Sequence, residues 1–169
     1  MELTDVATLE TWLELEQKIS KRSGMNASVS NAEGMRITDF QKWANDLCRV
    51  IKGDGKGQNY ICSVAHQNLA AQAMRTHQPV IEACDAGMMK LVVPIFVNGE
   101  FLGVAGICGW LEKNGNVDTF MIYKTTGLRE EKVIKLAETI MYKHHEQAES
   151  HARFIQDKIA GIVKRYRSR

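Results

Sequence analysis

Proline is almost absent, with two residues in 169. That excludes a proline-rich linker or stalk and leaves helices and strands free to run without breaks. Net charge is nearly absent too. The 22 Lys and Arg against 20 Asp and Glu leave +2, so no whole-molecule field draws the chain to nucleic acid or anionic lipid. Long apolar runs are missing: none approaches the roughly 18 residues that a membrane span needs. Met1-Glu2-Leu3-Thr4-Asp5 is acidic where a secretory leader is basic. The chain lacks any CxxC spacing as well; its four cysteines stand at 48, 62, 84 and 108. These absences point to a cytoplasmic protein whose cysteines are thiols or metal ligands rather than disulfides. Neither nucleic acid nor a membrane is an expected direct partner.

What is present fits one domain over residues 1–169, with hydrophobic and charged fractions of 44% and 25%. The strongest local signal is Pro79–Leu111. Two apolar runs, Lys90–Val97 and Glu100–Ile107, are joined by Asn98-Gly99, a pair suited to a two-residue type I′ turn because both positions want φ > 0. The runs are therefore expected to be adjacent antiparallel strands, with Cys84 at the entry and Cys108 at the exit. Gly103, Gly106 and Gly109 crowd the second run. Glycine weakens a strand unless something approaches the backbone closely, so a ligand is expected against that face.

Thr4 to Arg22 has helical spacing, with apolar Val6, Leu9 and Leu13 and, on a flanking stripe, Trp12, Leu15 and Ile19, and with Gly24 as its terminator. Met25–Ser30 and Met35–Thr38, around Asn31–Gly34, read as a first hairpin. A helix over Asp39–Lys52 follows, capped by Thr38 or Asp39. Gly53-Asp54-Gly55-Lys56-Gly57 reads as a connector, since its spacing fits no phosphate loop. Ser63 then caps a helix to about His77. From Val117 onward three helical pieces are expected, the last spanning about 140–169. Its seam of Met141, His145, Ala148, Ala152, Ile155, Ile159, Ile162 and Tyr166 steps by alternating fours and threes. That period suits a coiled-coil contact with a second copy, or packing on its own domain. The order of elements implies an α+β fold similar to PAS and GAF domains: an antiparallel sheet of about five strands, helices against one face, and a cavity between.

The residues Phe40…Cys48…Gly57…Cys62, Pro79-Val80…Cys84-Asp85-Ala86-Gly87-Met88 and Val93-Pro94-Ile95…Asn98-Gly99-Glu100…Leu102-Gly103…Gly106 resemble the PocR-type sensory domain, over roughly Thr4 to Tyr166. By that resemblance Cys48, Cys62 and Cys84 match the family cysteines. Met88 stands where leucine is usual, and Cys108 lies near a usual glutamine. The resemblance implies a non-enzymatic sensor of a small molecule, coupled to a separate output protein such as a kinase or a transcription regulator.

The cysteines admit three readings. They are metal or cofactor ligands, inert thiols lining a core or pocket, or reactive groups. As ligands, Cys48, Cys62, Cys84 and Cys108, with His66 one turn after Cys62, suit an Fe–S cluster, haem or zinc. Tyr60, Asp85, Met88 and Trp110 are the candidate small-molecule contacts. A rival function is a thiol redox enzyme of the free methionine sulfoxide reductase type, which Ala83-Cys84-Asp85 and Val92–Ile95 resemble. A third is a cofactor-free dimerisation module. The expected assembly is a homodimer.

Overall fold

The computed structural model describes all 169 residues. Its frame is β4, Glu100–Leu111, which is paired on both sides. β1 (Asn26–Asn31) and β3 (Met89–Val97) flank it, and β2 (Val80–Ala83) lies beyond β3, all antiparallel. A two-residue strand, β5 (Met141–Tyr142), adds to the free end of β4 in parallel. Asn98 and Gly99 turn β3 into β4 with φ of 51° and 83°, as the Asn-Gly pair predicts.

The glycines of β4 admit other strands rather than a ligand. A Cβ on Gly103 would stand 2.0 Å from the Ser30 carbonyl oxygen of β1, and one on Gly106 2.0 Å from the Leu91 oxygen of β3. Only Gly109 turns toward the candidate site. It is the extra residue of a bulge, because Lys90 pairs with Cys108 and Met89 with Trp110. The bulge puts Trp110 on the opposite face from Cys108.

Helices cover both faces of the sheet, not one. On the first face lie α1 (Leu3–Val6), α2 (Leu9–Ser23) and the last helix. Thr8 separates α1 from α2 and caps α2 by accepting from the Thr11 N–H at 3.3 Å. Trp12, Leu15 and Ile19 of α2 pack there against Leu91, Val93 and Ile107. On the second face lie α3 (Asp46–Gly53), α4 (Gly55–Gly57), a π-helical turn (Gln58–Cys62) and α5 (Ser63–Thr76). Two short helices, α6 (Thr119–Thr126) and α7 (Glu130–Ala137), close the end of this layer.

Several local expectations change. The first hairpin shrinks to β1 and a single bridge, Ser30 to Arg36. The buried Glu16 carboxylate takes the edge N–H of Val29 at 2.7 Å and also accepts from the Thr38 hydroxyl, so no second strand forms a ladder there. The helix expected from Asp39 begins only at Asp46. Asn45 is its cap, with Oδ1 accepting from the Cys48 N–H at 2.7 Å. The glycine connector is itself helical: Asp54 accepts from the Gly57 N–H at 2.8 Å and starts α4. Ser63 therefore lies inside a continuing helix and does not cap one.

The last helix, α8, spans His145–Arg167. Its seam faces its own domain. Ala148, Ala152, Ile155, Ile159 and Ile162 are buried among residues of α1, α2, β3 and β4. Met141 is off the seam, in β5. His144 and His145 are exposed, whereas His151 is half-buried, and its Nδ1 has no partner.

This burial makes a clear prediction. Ile155→Ala should cost about 2–5 kcal/mol of unfolding free energy, because it leaves a cavity in the chain's own core. Urea denaturation checks this. An undiminished stability, with loss of a dimer by light scattering, would instead put the seam against a second copy.

Candidate functional site

Between the sheet and the layer of α3, the π-helical turn and α5 lies a cavity of about 140 Å³. All four cysteines line it, each delivered by a different element. Cys48 stands in the first turn of α3. Cys62 ends the π-helical turn, a rare geometry that recurs at functional sites. Cys84 opens the tight link between β2 and β3. Cys108 sits at mid-sheet, with Asn26 of β1 and Lys90 of β3 as its cross-strand partners. All four are free thiols.

Asn45 holds this corner together. While its Oδ1 caps α3, its Nδ2 donates to the Gly109 carbonyl at 2.9 Å and reaches the Cys48 sulfur at 3.4 Å. One buried carboxamide thus joins the helix start, the bulge and the thiol. Cys48 also points its S–H at the Met88 sulfur, 3.4 Å away. In the Cys84 link, the Cys84 N–H donates to the Met88 carbonyl at 2.7 Å and the Gly87 N–H to the Cys84 carbonyl at 2.8 Å. Gly87 has φ of 93°, and a Cβ there would strike the Asn116 carbonyl oxygen.

Burial acts on three of the four thiols. Burial raises the Cys48 pKa, with Cys108 adding to the rise, while the Asn45 amide opposes it. Burial pushes Cys62 up to about 11. Cys84 is also raised by burial, and the backbone amides of Ala86 and Met88, which face its sulfur, oppose that rise. His66 lines the same cavity, and its Nε2 is buried without a partner. Burial, then Lys90, Lys52 and Arg36, hold His66 down to about 4. The wall carries those three cations and no carboxylate.

Of the candidate residues, the structure brings together Cys48, Cys62, Cys84, Cys108, His66 and Met88. Three others lie outside the cavity. Tyr60 is 64% exposed, because its position in the π-helical turn faces solvent. Asp85 is exposed at the tip of the Cys84 link. Trp110 is fully buried in the core on the other sheet face, placed there by the Gly109 bulge. Sequence reasoning missed Asn45, Arg36, Lys52 and Lys90. An Asn three residues before a Cys was a legible cap signal for Asn45. The cations carried none, since nothing local shows which face a lone Lys takes. No three His, Cys, Asp or Glu side chains stand at the spacing that a single metal ion needs.

A family model described as the sensory domain found in PocR matches residues 5–165. The chain belongs to the PocR sensory-domain family. Comparison with curated proteins and with solved structures finds no match. PocR membership points to a sensing role rather than catalysis. No helix is long and apolar enough to cross a membrane.

Two predictions follow from the site. Asn45→Ala should lower stability by about 1–2 kcal/mol, through the lost cap and an unpaired buried carbonyl, as read by urea denaturation. The second concerns pH. The folded-state pKa of His66, about 4, lies below its ordinary 6.5, so its contribution is whole above 6.5 and is lost as pH falls toward 4. His151, also held at about 4, loses its own share over the same range. His66→Gln should therefore leave a shallower decline in acid, without abolishing it. An unchanged decline would show that His66 is not buried neutral.

Proposed function

We propose that this chain is a cytoplasmic, non-enzymatic sensory domain that binds a small ligand or cofactor in the cysteine-lined cavity. The observation that carries the reading is the convergence of four cysteines, from four separate elements, on one cavity in a PocR-family domain. The volume of about 140 Å³ suits a small occupant. Pockets for drug-sized molecules run to roughly 300–1,000 Å³, which weighs against haem. The raised thiol pKa values weigh against a redox enzyme, which needs a nucleophilic thiolate. Four unpaired cysteines suit a reducing compartment.

Signal transfer runs through the sheet. Lys90 and Cys108 face the cavity, while their neighbours Leu91 and Ile107 pack in the core that α8 shares. An occupant that favours one arrangement of β3 and β4 biases the seating of α8, and through it an output partner. The alternatives of a homodimer stalk and of an empty module gain nothing from α8, whose apolar seam is used internally.

The test compares wild type with Ser28→Phe by native mass spectrometry after anaerobic purification. Ser28 lines the cavity from β1, so the ring fills it. Wild type should carry a non-covalent mass that Ser28→Phe lacks, both proteins remaining folded by circular dichroism. Retention of that mass by Ser28→Phe, or a bare chain in both, contradicts the reading.

A further inference from the structure

The cavity narrows the class of its occupant. Four thiols surround it, but no three of them, with or without His66, have single-ion spacing. A zinc ion bonds each sulfur at about 2.3 Å and so draws its ligands into van der Waals contact. A polynuclear centre takes one thiolate on each of several metals and keeps the sulfurs apart. The whole cavity, about 140 Å³, is roughly ten water positions, enough for an inorganic cage and too little for a porphyrin.

Charge points the same way. Arg36, Lys52 and Lys90 line the wall, and no Asp or Glu does. Arg36 acts on the Glu16 carboxylate of α2, but the excess of cations on the wall beside the thiols has no ion pair of its own. It does match an occupant that converts the thiols to bound thiolates and is anionic overall. Donors to sulfur are also in place: the Asn45 Nδ2 lies 3.4 Å from the Cys48 sulfur, and the Ala86 and Met88 amides face Cys84. Such donors are one of the means by which a protein sets the potential of a cysteinate centre. Ile51, Ile61 and Met88 shield the space from water.

We infer that Cys48, Cys62, Cys84 and Cys108 ligate a four-iron, four-sulfide cluster in this cavity, with Arg36, Lys52 and Lys90 offsetting its charge. The inference rests on the cavity being the sensory site. Assembly consumes ferrous and ferric iron in equal parts together with sulfide, so that no electron is gained or lost. Each of the four thiols gives up its proton to solvent as one iron–sulfur bond forms, so no oxidation of the cysteines is involved. His66 lines the same cavity, with its Nε2 buried and without a partner.

The test reconstitutes the full chain with equal parts of ferrous and ferric iron and with sulfide, without oxygen. Wild type should bind about four irons and four acid-labile sulfides per chain and show the broad visible absorption of a cysteinate cluster. Adding dithionite, one electron per cluster, should produce a paramagnetic resonance signal. Cys62→Ser and Cys108→Ala should each lose absorption and signal, while Lys56→Ala, on the exposed end of α4, keeps both. The iron-to-sulfide ratio of wild type stands by itself if a cysteine variant fails to fold. Iron without sulfide, one zinc ion per chain instead, or a signal that survives both cysteine variants overturns the inference. If reconstitution yields no cluster while Ser28→Phe still displaces another bound species, the cluster is wrong and the sensory cavity stands.

Discussion

The carboxamide of Asn45 is the joint on which the site depends. It caps α3, binds the carbonyl of the bulged Gly109 and touches the Cys48 sulfur. The bulge in turn sends Trp110 into the main core and leaves Cys108 in the cavity. Without the extra residue at 109, alternation would carry both side chains to one face. A single buried amide thus couples the start of a helix, the sidedness of the central strand and the position of two thiols.

The two faces of the sheet have different work. The first is closed by α2 and α8 around Trp12, Leu91, Ile107 and Ile155, apolar almost throughout apart from the buried Glu16. The second keeps a gap between β1, β3, β4 and the α3–α5 layer, walled by thiols and cations. Strands β3 and β4 belong to both faces. Any occupant that shifts them on one side strains packing on the other, which is the physical basis of the proposed signal at α8.

Much of this was legible in the residues. Asn98-Gly99 fixed the hairpin, Gly24 ended α2 with φ of 72°, and the four cysteines shared one region as their placement implied. The misreadings share a cause: local pattern does not say what lies on the other side. The α8 seam has the right period, yet its partner is its own sheet. Gly103 and Gly106 do admit a close approach, but of neighbouring strands. Tyr60 and Trp110 looked like site aromatics until a π-helical turn and a bulge, neither with a sequence signature, turned them elsewhere. The Thr38 hydroxyl is committed to the buried Glu16 carboxylate of α2, and the helix expected from Asp39 starts instead at the Asn45 cap.

The most direct test of the account is a crystal structure of protein purified without oxygen, with anomalous data collected at the iron edge. It should show density within the cavity, joined to the sulfurs of Cys48, Cys62, Cys84 and Cys108, with the α8 seam packed on its own sheet. An occupied site elsewhere on the molecule, with four separate thiols around an unfilled cavity, would contradict it.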